Sequence, residues 1–287
     1  MAPDRIFNLG FHLATTISIL VLVSLGLAVI FGMRGVINLA HGEFIMLGAF
    51  ATLTGVRSGL NIWPAMALAA LVVGAFGIVI ERLLIRHLYG RLADTMLATW
   101  GLSLILVQAV ENLYGSVTEG LAVPVGNLTF GEFSMSTYNL VLMAAAGAGV
   151  LATRTIMRRS RYGLLARAAT QSPTMAEGLG VNTSAVNMWT FGLGSALAGA
   201  AGALLAPVVG VIPTMGQTYV ARAFMAVIVG GPSFLAGTAS ASGLLGFVEN
   251  VGTNWFTPVI GQAMLLMAAI VMLRFRPQGL TGTRLGR

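Results

Sequence analysis

Residues 62–85 read IWPAMALAALVVGAFGIVIERLLI, an apolar stretch whose one acid, Glu81, falls near its end. A bilayer core about 30 Å thick is crossed by roughly 20 apolar helical residues, so this stretch is a membrane-spanning helix. The pattern recurs along the chain, with apolar runs at 9–31, 36–56, 62–85, 95–114, 138–157, 188–212, 219–251 and 255–273. Of the 287 residues 56% are hydrophobic and 9% charged, and the mean hydropathy is +0.87. Soluble domains carry charge on roughly a quarter of their positions. So few ions cannot furnish a water-facing surface, and the solvent this chain expects is membrane lipid.

The reading is therefore all-α: a polytopic bundle of about eight spanning segments forming one transmembrane domain over residues 1–287. The N-terminal MAPDRIFNLGFH lacks a basic leader and a small-residue cleavage site, so the first run reads as a retained helix rather than a signal peptide. Cysteine is absent, which excludes disulfides and thiol chemistry. All 16 basic residues are arginine, and the net charge is +7. These arginines sit in short loops, where they set topology rather than bind nucleic acid.

Arginine positions give an orientation. Arg34, Arg82, Arg86, Arg91, Arg154, Arg158, Arg159, Arg161, Arg167, Arg274, Arg276, Arg284 and Arg287 fall on one side, and only Arg5, Arg57 and Arg222 fall opposite. The positive-inside rule makes the first group cytoplasmic, with the N-terminus outside and the C-terminus inside. The 115–137 loop, GSVTEGLAVPVGNLTFGEFSMST, has two acids and no arginine and belongs outside. On this count 219–251 starts and finishes outside, which one straight helix cannot do. Gly230, Gly231 and Pro232 interrupt it, and glycine and proline break helices. Two short helices folded near 228–233 are expected, re-entrant or crossing twice. A second break is expected near 32–42, between Gly35 and Gly42. The two breaks carry an echo, Gly35-Val-Ile-Asn-Leu-Ala-His-Gly42 against Gly231-Pro-Ser-Phe-Leu-Ala-Gly237, of the kind duplicated transporter folds show. Chance accounts for the echo equally well.

Polar groups inside the spans are the candidates for function. A charge at mid-helix costs about 3 kcal/mol on insertion scales, so Asn38, His41 and Glu43 should face a protein interior or a wet path. Asn38 and His41, three apart, would share a helical face, with Glu43 pointing elsewhere. They read as gate or pathway groups, or as a buried network pinning a kinked helix. Thr99, Trp100 and Ser103 put two hydroxyls and an indole in the fourth run. Thr99 and Ser103 share a face, to line a path for a neutral polar solute or to bond their own backbone. Glu81, Glu111 and Glu249 lie near run ends and read as structural. His12, His41 and His87 are too dispersed for a metal site; neither metal nor cofactor is expected. No pair of opposite charges is evident in the spans to clamp an amino acid.

The most informative polar stretch is 158–187, RRSRYGLLARAATQSPTMAEGLGVNTSAVN. Ser172-Pro173 predicts a helix start, and Gly180 ends a short helix over Met175–Leu179. A small capped helix on the cytoplasmic face suits transmission of force from a soluble partner, as well as a plain interfacial role.

At these residues the chain resembles a known family. Gly32-Met-Arg-Gly-Val-Ile-Asn-Leu-Ala-His-Gly-Glu43, ERLLIRHLYGRLADTMLATWGLSLIL (81–106), RYGLLARAATQSPTMAEGLGVN (161–182) and RFRPQGLTG (274–282) are similar to the LivH-like permease subunits of branched-chain amino acid ABC importers. The resemblance covers nearly the whole chain in order. PVVGVIPTMG (207–216) and LATWGLSLIL (97–106) lean weakly to that family's urea and short-amide branch. The resemblance implies a bacterial inner-membrane subunit that pairs with a homologous second permease, two cytoplasmic ATP-binding subunits and an external solute-binding protein. It implies alternating access, driven through a coupling loop matched here by Arg167 and by Thr174, Met175, Ala176, Glu177, Gly178, Leu179, Gly180 and Val181. It implies no enzyme activity, and no phosphate-cradling G-x-x-x-x-G-K-[ST] occurs in the chain.

Two other readings stay open on the residues alone. One is a secondary transporter with Glu43 or His41 taking a proton. The other is a passive urea-type channel, which would work without any partner.

Overall fold

The computed structural model of the protein describes residues 3–116, 118–130 and 133–282. Arg284 and Arg287, whose charges entered the orientation count, lie outside the described residues. The chain folds as α1 (Pro3–Arg34), α2 (His41–Arg57), α3 (Ile62–Leu83), α4 (Leu92–Tyr114), β1 (Asn127–Phe130), β2 (Phe133–Ser136), α5 (Tyr138–Arg159), α6 (Arg161–Gln171), α7 (Pro173–Gly178), α8 (Thr183–Val209), α9 (Met215–Gly230), α10 (Phe234–Trp255) and α11 (Pro258–Phe275). The architecture is an all-α polytopic bundle. The two strands form a small antiparallel hairpin, Asn127 opposite Ser136, in a stretch that reads as plain loop in the sequence.

Burial separates inner from outer helices. The apolar window of α1 is 72% buried and that of α11 only 17%, so α1 belongs to the core and α11 to the outer ring. With α1 in the core stand α8 and α2, and α3, α4, α5 and α11 surround them. Because lipid is as apolar as leucine, helices here associate through close packing rather than hydrophobic gain. Glycine and serine accordingly mark the inner contacts. Gly26 of α1 lies against the Gly194 carbonyl of α8, and Gly77 of α3 against Ser195.

Packing order reveals an inverted repeat. α10 runs antiparallel along α1, with Gly246 beside Ile17, Ser242 beside Ser24 and Phe234 on Gly32. α3 runs antiparallel along α8 in the same manner, with Gly77 on Ser195, Gly74 on Ala196 and Gly199 on Val73. Exchanging α1, α2 and α3 for α8, α9 and α10 therefore maps the contacts among these six helices onto themselves, with α1 packed on α8 and α2 on α9. This is the inverted-topology arrangement of many transporters, with α5, α6 and α7 inserted between the halves.

Both expected breaks exist. Among the described residues six helices are long and apolar enough to cross a bilayer on their own, and α9 and α10 form a further pair bent by 117° at residues 231–233. α10 runs beside α1 from Gly32 to Ile17, so the pair is a fold-back rather than one kinked span. Residues after α11 close over the bend: Leu280 N–H donates to Val229 O at 2.8 Å, and the Thr281 hydroxyl to Gly230 O at 2.7 Å. α2 is 17 residues, about 25 Å at 1.5 Å per residue, and it begins inside the bundle, at the break expected near 32–42. In the repeat the 35–40 break corresponds to 210–214, between α8 and α9, rather than to 231–237, so the packing lends the Leu-Ala-Gly echo no support.

Candidate functional site

The site is built on those two interruptions. α1 ends at Arg34, and Gly35 takes φ +63, a left-handed turn that only glycine adopts freely. The chain then runs back without helical bonds to Ala40, and α2 starts at His41. The depth of that start is fixed by His41 itself, whose Nε2–H donates to Val23 O at 2.8 Å, three turns back from the end of α1. Without that break the imidazole would lie at the membrane surface. α9 starts at the same level. Gly42 and Gly216, each the second residue of its helix, touch backbone to backbone: a Cβ on Gly42 would lie 2.2 Å from the Gly216 carbonyl oxygen. Two helix N-termini thus converge in the middle of the bundle, each bringing unpaired N–H groups and a positive dipole end.

Five of the six proposed pathway residues gather here. Asn38, His41 and Thr99 are wholly buried, and Glu43 and Ser103 nearly so. The Thr99 hydroxyl accepts from Leu39 N–H at 3.1 Å while donating to Thr95 O at 2.8 Å, which pins the unwound segment to α4. Asn38 does not share a helical face with His41, because no helix exists there; its Oδ1 turns back to accept from Ala40 N–H at 3.1 Å. Asn38 Nδ2, His41 Nδ1 and Glu43 Oε2 are buried without a partner among the described residues. Trp100 stands apart, 55% exposed on the outer face of α4.

The 158–187 stretch folds as its punctuation suggests. Ser172 caps α7, its hydroxyl accepting from Met175 N–H at 3.4 Å, with Pro173 as the first residue and Gly180 at φ +84 closing the turn. Ala176 is buried, while Met175 and Leu179 are 72% and 85% exposed. This apolar knob sits at the arginine-rich end of the bundle. Arg167 holds α6 to α5 through the Met157 carbonyl, and the Thr170 hydroxyl donates to Met33 O at 2.9 Å, two residues before the Gly35 break. The Thr183 hydroxyl donates to Glu177 at 2.5 Å, and the Arg34 guanidinium reaches Thr183 O at 3.5 Å. The surface helices are thus bonded to the very end of α1. Below them Tyr89 is pushed above the usual phenol range by burial, so it stays a neutral donor to Glu81 at 3.1 Å.

One buried feature escaped the sequence. Arg222 of α9 and Glu249 of α10 pair at 2.7 Å, with side chains only 15% and 8% exposed. They are 27 residues apart, and only the fold-back at 231–233 brings them together. Each carries a cost in lipid that favours pairing, so the signal available was two charges within one apolar run. At the opposite end from α7, Arg57 pairs with Glu119, whose backbone bridges to Val211.

Comparison with known proteins finds relatives along nearly the whole chain. The family model described as "Branched-chain amino acid transport system / permease component" matches residues 10–274. The chain is 33% identical over 281 residues to the high-affinity branched-chain amino acid transport system permease protein BraD of Pseudomonas aeruginosa, covering 91% of each chain. It is 30% identical to LivH of Escherichia coli K12, covering 97% of this chain and 95% of that one. It is 26% identical to the permease protein LivM of Salmonella typhimurium, covering 97% of this chain and 71% of that one. No solved structure matches. These relatives are transport subunits rather than enzymes, and none of their names supports the weak lean towards urea or amides. A model match along nearly the whole chain shows that this protein belongs to the family of branched-chain amino acid transport system permease components.

Proposed function

We propose that the chain is the membrane-spanning subunit of an ATP-driven importer that passes branched-chain amino acids inward by alternating access. The observation that carries this reading is the exposed Met175–Leu179 knob, whose neighbouring helix is joined through Thr170 to Met33, two residues before the Gly35 break. A carrier powered by a proton gradient or a passive channel has no use for such a lever. The knob offers an apolar plug to a groove on each ATP-binding subunit. Displacement of α6 and α7 then pulls on Met33 and tilts the end of α1. The break at 35–40 turns that tilt into movement of the α2 N-terminus against α9. Gly42 and Gly216 form the pivot, and Thr99 is the anchor that keeps the unwound segment from following freely.

In this reading the arginine-rich end is cytoplasmic and the hairpin end, with the N-terminus, faces the solute-binding protein. A second permease completes the assembly, and the similarity to LivM favours a homologue over a second copy. Residues 158–187 serve as the coupling loop within the single transmembrane domain.

The test is uptake of radiolabelled leucine into vesicles containing this chain alone, and then with its permease partner, ATP-binding subunits and binding protein. ATP-dependent uptake by the full set and none by the chain alone is expected. Proton-driven or passive uptake by the isolated chain overturns the reading.

A further inference from the structure

The Arg222–Glu249 pair is not sealed in packed protein. It stands where two cavities meet, one of about 210 Å³ walled by α1, α9, α10 and α11, the other of about 370 Å³ beside α9 and α11, with Arg222 and Gln262 lining both. We infer that this pair is a clamp for a zwitterionic α-amino acid on its way through the subunit, an inference that rests on the importer reading above.

A buried ion pair kept only for stability has no need of a cavity, since apolar side chains of similar volume hold such positions at least as well. A zwitterion, by contrast, exchanges with the pair without altering the charge of the site. Its carboxylate replaces Glu249 at the guanidinium, and its ammonium replaces Arg222 at the carboxylate. Molecules with one charge leave the opposite protein charge bare in a low-dielectric setting, and uncharged amides leave the pair closed. The site therefore discriminates by the number and sign of charges rather than by size.

The surroundings suit that exchange. Arg222 is held independently of its partner: its Nε–H donates to Thr218 O at 3.2 Å, and its guanidinium lies 4.8 Å from the centre of the Tyr219 ring. Guanidinium donors remain for a second carboxylate. Ile19, Leu20 and Val23 of α1 supply an apolar wall for a branched aliphatic chain, and Thr16, Thr253 and Gln262 supply hydrogen-bonding groups around the charged end. Val23 also offers its carbonyl to His41, so the wall of the clamp and the start of α2 share one turn of α1. Motion at the break is thereby felt at the clamp.

The experiment uses the complete importer carrying Arg222→Met together with Glu249→Met, a double change that removes both charges and leaves none unpaired. The clamp predicts normal assembly and an unchanged or higher melting temperature, with leucine uptake reduced at least tenfold. Uptake within twofold of the parent shows the pair to be structural and overturns the inference. Should wild-type importer fail to take up leucine, the importer reading itself falls, a separate result. Should the double variant not assemble, the unaltered chain in lipid nanodiscs decides, by saturation-transfer NMR with leucine, isopentylamine and isocaproate as probes. Transfer to leucine alone, lost when Glu249→Gln is introduced, supports the clamp; equal transfer to a one-charge analogue, or none to leucine, refutes it.

Discussion

Adding one methyl group at Gly42 tests the central crossing most directly. A Cβ there meets the Gly216 oxygen at 2.2 Å and its carbonyl carbon at 2.6 Å, where ordinary contacts begin at 3.4 Å. The shortfall is 3.4 − 2.2 = 1.2 Å, and both obstacles are backbone, so no side chain can swing aside. Overpacking a rigid core costs ~1–3 kcal/mol, and this site belongs at the upper end. With ~2–4 °C of melting temperature per kcal/mol for chains of comparable size, Gly42→Ala should lower the melting temperature of the detergent-solubilised protein by ~6–12 °C. Gly101→Ala is the control: nothing lies within 4 Å of its Cβ, and α4 there is regular helix, so stability should hold or rise. The pair Gly42→Ala with Gly216→Ala should fall short of additivity, because the first methyl already parts the two helices. If Gly42→Ala melts within 1–2 °C of the parent on that scale, or no lower than the control, the two helix starts do not touch as described.

Other expectations follow from the same contacts. Thr99→Val keeps the volume but leaves Leu39 N–H without its acceptor, a loss of ~1–3 kcal/mol visible in melting, whereas Trp100→Leu on the outer face should change little. Leu179→Asp should leave insertion and melting unchanged, since the side chain is 85% exposed, yet abolish co-purification with the ATP-binding subunits. Thr170→Val should preserve assembly while ATP hydrolysis proceeds with uptake reduced several-fold; normal coupled uptake would remove the tether to Met33 from the mechanism. Because the chain has no native cysteine, Gly120→Cys and Leu179→Cys report orientation cleanly. A membrane-impermeant maleimide applied to intact spheroplasts should label the first and spare the second.

Much of this fold was legible because its signals are local. Apolar runs marked the spans, Ser172-Pro173 and Gly180 bounded α7, and Gly230-Gly231-Pro232 marked the fold-back. Each is a matter of composition or helix chemistry within a few residues. What stayed hidden depends on depth and on partners far along the chain. Helical spacing was applied to Asn38, where the chain has left the helix to let His41 reach Val23. The Gly42–Gly216 crossing joins residues separated by most of the molecule, and common glycines give it no distinguishing signal. Arg222 and Glu249 looked unrelated because the Gly230-Gly231-Pro232 break marks a reversal without fixing which residues of its two arms meet.

The insertion of α5, α6 and α7 between the halves breaks a tie. Two halves of opposite direction present similar faces to the two sides of a bilayer, so a bare duplicate has little reason to insert one way up. In the orientation proposed above the linker supplies that reason, with Arg154, Arg158, Arg159, Arg161 and Arg167 gathered at one end of one helix hairpin. A version stripped of those charges would be expected to enter the membrane in both senses, and half of its copies would offer their knob to the wrong compartment.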